Sequence, residues 1–142
     1  MIKNNYNYGM NINIEEYKSC QAFLPGLFKF MENGLFSQAI LAITEKELII
    51  YDDHAPDIVS GETLTYKIKF RLSFDNVATV VDEKIINNKD MSGLGRLNFV
   101  RDEDNILFYY FVDDKRLLKN FLSTLKASGL SIQTRKVDLS KE

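Results

Sequence analysis

Between Thr63 and Phe74 the chain alternates apolar and polar side chains without interruption. Leu64, Tyr66, Ile68, Phe70, Leu72 and Phe74 occupy one set of positions, and Thr65, Lys67, Lys69, Arg71 and Ser73 the other. Successive side chains of an extended strand point to opposite faces, whereas a helix would scatter both sets around its circumference. The pattern predicts a long strand with one buried and one wet face, and therefore a sheet for it to join. This stretch points to a mostly β fold.

The flanking segments are consistent with that prediction. Met1 to Asn13 is polar and Asn-rich, a flexible tail; residues 14–137 form a single domain, and residues 138–142 a polar end. Asn13 is a candidate N-cap for a short N-terminal helix from Ile14 to Ala22, stopped by Pro25-Gly26. Leu27 to Met31 suits a short strand ending at the turn Glu32-Asn33-Gly34. Phe36 to Thr44 reads as a buried strand or a short helix, and Thr44-Glu45-Lys46 as the turn of a hairpin into Leu48-Ile49-Ile50-Tyr51. After the turn Asp75-Asn76, Val77 to Ile86 is a second β-branched run. Leu94 to Arg101 and Ile106 to Val112 form a hairpin around Asp102-Glu103-Asp104-Asn105. Leu117, Leu118, Phe121, Leu122 and Leu125 give one apolar stripe at helical spacing, capped by Asp113 or Asp114 and closed by Gly129. Leu130 to Val137 suits an edge strand.

The totals exclude several classes. A length of 142 residues with 45% hydrophobic and 27% charged side chains fits one soluble domain. The longest apolar runs fall far below the roughly 20 residues that span a bilayer, so no transmembrane segment is expected. A net charge of −2 and the lack of a secretory leader point to a cytoplasmic protein that binds no nucleic acid. The lone Cys20 agrees with a reducing compartment. Charge is uneven: residues 1–66 carry four Lys/Arg against nine Asp/Glu, and residues 67–142 fourteen against eleven.

Leu24-Pro25-Gly26, followed at an interval by Ala42-Ile43-Thr44-Glu45-Lys46-Glu47-Leu48-Ile49-Ile50-Tyr51, resembles the start of GRAM domains and bacterial PH-like domains. Phe74-Asp75-Asn76-Val77-Ala78-Thr79-Val80 is similar to a later turn-and-strand segment of that family, and Leu94 to Leu125 completes the order. The resemblance covers about residues 24–128. Thr44, Leu48 and Tyr51 match the family pattern; Leu27 stands where an acid is usual, and Glu47 where an Arg is usual. The resemblance implies a PH-like bent antiparallel sheet or partly open barrel, capped by a C-terminal amphipathic helix. It also implies a module for binding proteins or lipids.

The chain offers little for catalysis. His54 is its only histidine, Cys20 its only cysteine, and nothing in the sequence brings them together. Gly93-Leu94-Gly95 lacks the remainder of a phosphate loop. The acidic loop Asp52 to Asp57 lacks the spacing of a calcium site, and Asp102-Glu103-Asp104 reads as a solvated hairpin tip. No enzyme, metal or cofactor is expected. Lys67, Lys69 and Arg71, on one face of the long strand, are the candidate ligand-binding residues, with Lys84 and Lys89 as converging partners for an anionic lipid head group or an acidic protein surface. The same cations also suit the wet face of an antiparallel strand. The leading expectation is a non-catalytic module with a protein partner or a homo-oligomeric state, supported by ten Phe and seven Tyr. Weak binding of anionic lipid is the alternative.

Overall fold

The long alternating strand sits near one end of a ten-stranded open sheet. The structure, a computed structural model, describes the backbone of residues 11–13, 19–29, 35–52, 57–59 and 63–141, and the side chains of residues 19–29, 35–51 and 70–140. Its strands are β1 (Asn11–Asn13), β2 (Ala22–Lys29), β3 (Phe36–Ile43), β4 (Glu47–Asp52), β5 (Asp57–Val59), β6 (Thr63–Ser73), β7 (Thr79–Ile86), β8 (Leu94–Val100), β9 (Asn105–Phe111) and β10 (Ile132–Asp138). A helix, α1 (Lys115–Ala127), lies between the last two.

The sheet order is β1-β6-β4-β3-β2-β9-β8-β7-β10, with β5 also paired to β6. Two antiparallel meanders compose it. The first runs through β2, β3, β4 and β6, the second through β7, β8 and β9, and they join where Gly26–Phe28 of β2 pair with Phe108–Tyr110 of β9. Thr44 makes the tight β3–β4 turn: its hydroxyl accepts from the Glu47 N–H at 3.1 Å and donates to the Glu47 carbonyl at 3.1 Å. After α1 the chain returns as β10 and pairs parallel with β7, Ile132 opposite Val80 through Asp138 opposite Ile86. The sheet is therefore mixed.

The core occupies the face of the sheet that α1 covers. Leu24, Phe28, Leu41, Ile50, Leu97, Phe99 and Phe108 pack there with Phe121 and Leu125 of the helix. Leu118 and Leu122 are half-buried against the same cluster, whereas Leu117, in the first helical turn, is 43% exposed. Of the five-residue apolar stripe, Leu117 lies on the flank and misses the sheet. Gly129 follows the helix at φ 93°, the left-handed conformation expected of it. The opposite face carries a smaller cluster, Ala42, Ile49 and Tyr51, with Cys20 and Phe23 against it.

Several expectations change. Pro25-Gly26 does not end a segment; β2 runs through it, so the strand expected at Leu27 starts at Ala22. Proline has no N–H to donate, and the ladder to β9 begins only at the next residue, Gly26. A Cβ at Gly26 would stand 2.0 Å from the Tyr109 carbonyl oxygen, so only glycine lets β9 approach this closely. Ala22, the last residue of the expected N-terminal helix, opens β2, and residues 14–18 lie outside the described residues. Asn11–Asn13, expected in a tail, pair with Thr65–Lys67. Phe74 leaves the long strand for a 3-10 turn, Phe74–Asn76. Phe36–Ile43 is a strand and not a helix. Asp138 closes β10, and Leu139–Lys141 make a 3-10 turn instead of a simple tail.

Candidate functional site

Four side chains from three neighbouring strands meet on the sheet face opposite α1. β7 presents Glu83, β8 presents Arg96 and Asn98, and β10 presents Arg135. Register explains the meeting: Glu83 lies opposite Arg96 on one side and opposite Arg135 on the other. Glu83 is fully buried and Arg96 nearly so. Arg96 Nε donates to Glu83 Oε1 at 2.5 Å, and Arg135 Nε donates to Oε2 at 2.8 Å, with a second bond from Arg135 Nη2. Asn98 Nδ2 also donates to Oε2, at 3.3 Å, while its buried Oδ1 has no hydrogen-bond partner among the described residues. The Arg96 guanidinium lies over the Tyr109 ring, 5.8 Å from its centroid, and Tyr109 packs edge-on against Phe36.

A carboxylate removed from water needs such partners, because an unpaired buried charge costs several kcal/mol. Two guanidiniums hold this one, Arg96 from within the sheet and Arg135 from the outer side, where its side chain is 57% exposed. The cluster fastens β10 to the body of the sheet. On the helix-covered face of the same strands, Tyr110 donates from its hydroxyl to Asp82 Oδ1 at 2.6 Å. Burial, then the bond to Asp82, hold that phenol protonated well above its ordinary range. Gly95 makes room for it, since a Cβ there would stand 2.2 Å from the Tyr110 ring.

β10 ends the sheet. The Val80 N–H donates to the Ser131 carbonyl at 2.9 Å, which sets the phase of the parallel ladder. Odd-numbered residues of β10 thus turn their N–H and C=O groups toward β7, and Thr134 and Lys136 turn theirs outward. Both are exposed, and no strand lies beyond them among the described residues. Lys136 stands opposite Lys84, also exposed. The far end of β10 is tied down at Asp138, which accepts from Ser140 Oγ at 2.6 Å and from Asn87 Nδ2 at 3.0 Å. Those bonds, Ser140 first, hold its carboxyl below the usual carboxylate range.

The expected ligand residues are not all assembled here. Arg71 Nη1 donates to Glu47 Oε1 at 2.8 Å across the β4–β6 ladder. The β4–β6 register shifts at Lys69: Ile50 faces Phe70, but Tyr51 faces Ile68. The shift sets one extra residue of β6 against β4 between these two pairs. The side chains of Lys67 and Lys69 lie outside the described residues. Lys84 is on β7, which β4, β3, β2, β9 and β8 separate from β6 in the sheet order. Lys89 is exposed in the 3-10 turn Lys89–Met91.

Elsewhere, Cys20 Sγ lies 3.5 Å from the Tyr51 hydroxyl, and His54 is outside the described residues. A polar cleft of about 370 Å³ opens between the Phe74–Asn76 turn and the β8–β9 hairpin, where Arg101 holds Asp104 through two bonds at 2.6 and 2.7 Å. No group of three metal-ligating side chains occurs among the described residues. Among them, too, no helix is long and apolar enough to cross a membrane.

Glu83, Arg96, Arg135 and Lys136 were not legible as a group. The one signal was Asp82-Glu83 inside an otherwise β-branched run, since buried acids require cations on neighbouring strands. No family model matches this sequence, and no curated protein matches it.

Proposed function

We propose that this chain is a non-catalytic, PH-like interaction module that binds another protein. Three features support the PH-like reading. A four-strand meander is followed by a three-strand meander, the last strand returns beside the first, and a C-terminal helix packs against that first strand. Two stretches that carry the resemblance also support it: Leu24-Pro25-Gly26 lies at the junction of the meanders and Thr44 in the first hairpin. β10 is an addition to that plan.

The observation that carries protein binding is the outer edge of β10. A seven-residue strand with exposed residues and outward N–H and C=O groups is a template for pairing with another chain. Amine-reactive cross-linking in the source cell tests this reading. The expected result is that Lys84 and Lys136 cross-link to one protein well above the level of the exposed lysines Lys46 and Lys126. Cross-links spread evenly over the four lysines would refute it. Light scattering over a wide concentration range distinguishes a second copy of this chain from a different protein.

A further inference from the structure

Each of Arg71, Arg96, Arg101 and Arg135 holds a carboxylate. Arg116, the remaining arginine of the chain, holds none among the described residues, although its planar fork is suited to one. It lies on α1 with Lys115, Lys119 and Lys126. All four are exposed, and none is in an ion pair among the described residues. α1 itself contains no Asp or Glu. Nor do β2 and β3, against which it packs, or β9 beside them in the sheet. Asp113 and Asp114, the closest acids along the chain, precede the first turn and set two carboxylates against the four cations. A solvated helix ordinarily mixes both signs and gains from i,i+4 pairs of opposite charge. Here Lys115 and Lys119 make a like-charged i,i+4 pair, which costs helix stability. An exposed face of one sign complements an anion-rich partner.

The layout of that face narrows the partner. At about 100° per residue, Lys115, Lys119 and Lys126 fall within about 40° of one line, a row about 16 Å long. Arg116, Asn120, Ser123 and Ala127, also exposed, form the band beside it. That band offers no large apolar side chain to enter a bilayer, and a few charges alone anchor poorly to lipid. The short side chains of Ser123 and Ala127 let another helix lie close. We infer that α1 docks an acidic helix of a partner protein, laid along its outer face. A row of carboxylates meets Lys115, Lys119 and Lys126, and Arg116 takes one more through its fork. α1 lies over β2 and β3, in the middle of the sheet order, so this face is separate from the β10 edge and does not need the reading above. Carboxylates rather than amines face Lys126 in such a complex, so amine cross-linking reports on the edge alone.

The test uses fluorescein-labelled, stapled alanine-based helices of about 18 residues, long enough to span the row. They carry Glu, Gln or Lys at positions i, i+4 and i+11, and fluorescence anisotropy is read against the full chain. Three exposed pairs, each a factor of about two, should make the Glu helix bind about tenfold tighter than the Gln helix, an advantage lost in high salt. Lys119→Glu/Lys126→Glu should reverse the order and favour the Lys helix, with an unchanged circular dichroism spectrum. Should that variant fail to fold, Lys119→Gln/Lys126→Gln decides, and it should erase the Glu preference. Equal binding of the Glu and Gln helices, or a Glu preference that survives in either folded variant, overturns the inference. So does binding of phosphatidylserine vesicles or duplex DNA without binding of the Glu helix, which would assign the cations to phosphates. None of these outcomes bears on the cross-links of Lys84 and Lys136, so the two readings stand or fall separately.

Discussion

Glu83 is held by bonds from the two strands beside it, β8 and β10, and its two arginines do not contribute equally. Arg96 is buried with it, whereas Arg135 is more than half exposed. Arg96→Leu leaves the carboxylate with the Asn98 amide and the solvated Arg135, and should cost about 3–5 kcal/mol, the usual effect of breaking a buried pair. Arg135→Ala should cost about 1 kcal/mol, because Arg96 and Asn98 remain. Urea unfolding of the two variants measures both, and equal losses would contradict this division. Asp138 makes a prediction in pH. Its folded-state pKa lies below the ordinary value of 3.8, so its contribution is complete above that value and is lost as pH falls through the lowered one. The amides at the C-terminal end of β10 should lose hydrogen-exchange protection only below about pH 4, and loss between pH 5 and 7 would exclude this cause.

The helix and the strands were legible to different degrees. In α1, Phe121 is fully buried and Leu117 is 43% exposed, although both belong to one apolar stripe in the sequence. Phe121→Ala should lower stability by about 3–5 kcal/mol. Leu117→Ala should change it by less than about 0.5 kcal/mol, and thermal unfolding separates the two. Alternation over Thr63 to Phe74 placed β6 correctly, because the period of two is the signature of an extended strand. It did not reveal the register shift at Lys69, which depends on how β4 pairs and not on β6 alone. Pro25-Gly26 looked like punctuation, yet it sits inside β2 because the second ladder starts just past the proline. An edge strand over Leu130 to Val137 was foreseen, but its parallel pairing with β7 was not, since β10 carries no local signal of its partner. The Glu83 cluster was hidden for the same reason. Its members are 13, 15 and 52 residues apart from Glu83 and meet only once the strand order is set.

At the scale of the molecule, an open sheet leaves two ends. Three-residue strands β1 and β5 both pair with β6 at one end, and they are short. At the other end β10 is seven residues long, docked to the sheet by a buried ionic cluster and presenting its outer backbone. Phe111 and Val112 are exposed at the end of β9, at the margin of the same half of the sheet. The fold thus docks β10 on one side, and among the described residues its outer edge is unpaired. That asymmetry is read most directly by residue-resolved amide hydrogen exchange along β10. The N–H groups of Gln133, Arg135 and Val137 should exchange at least about tenfold more slowly than those of Thr134 and Lys136. Uniform protection along the strand, or uniform fast exchange, would contradict a docked strand with a free edge.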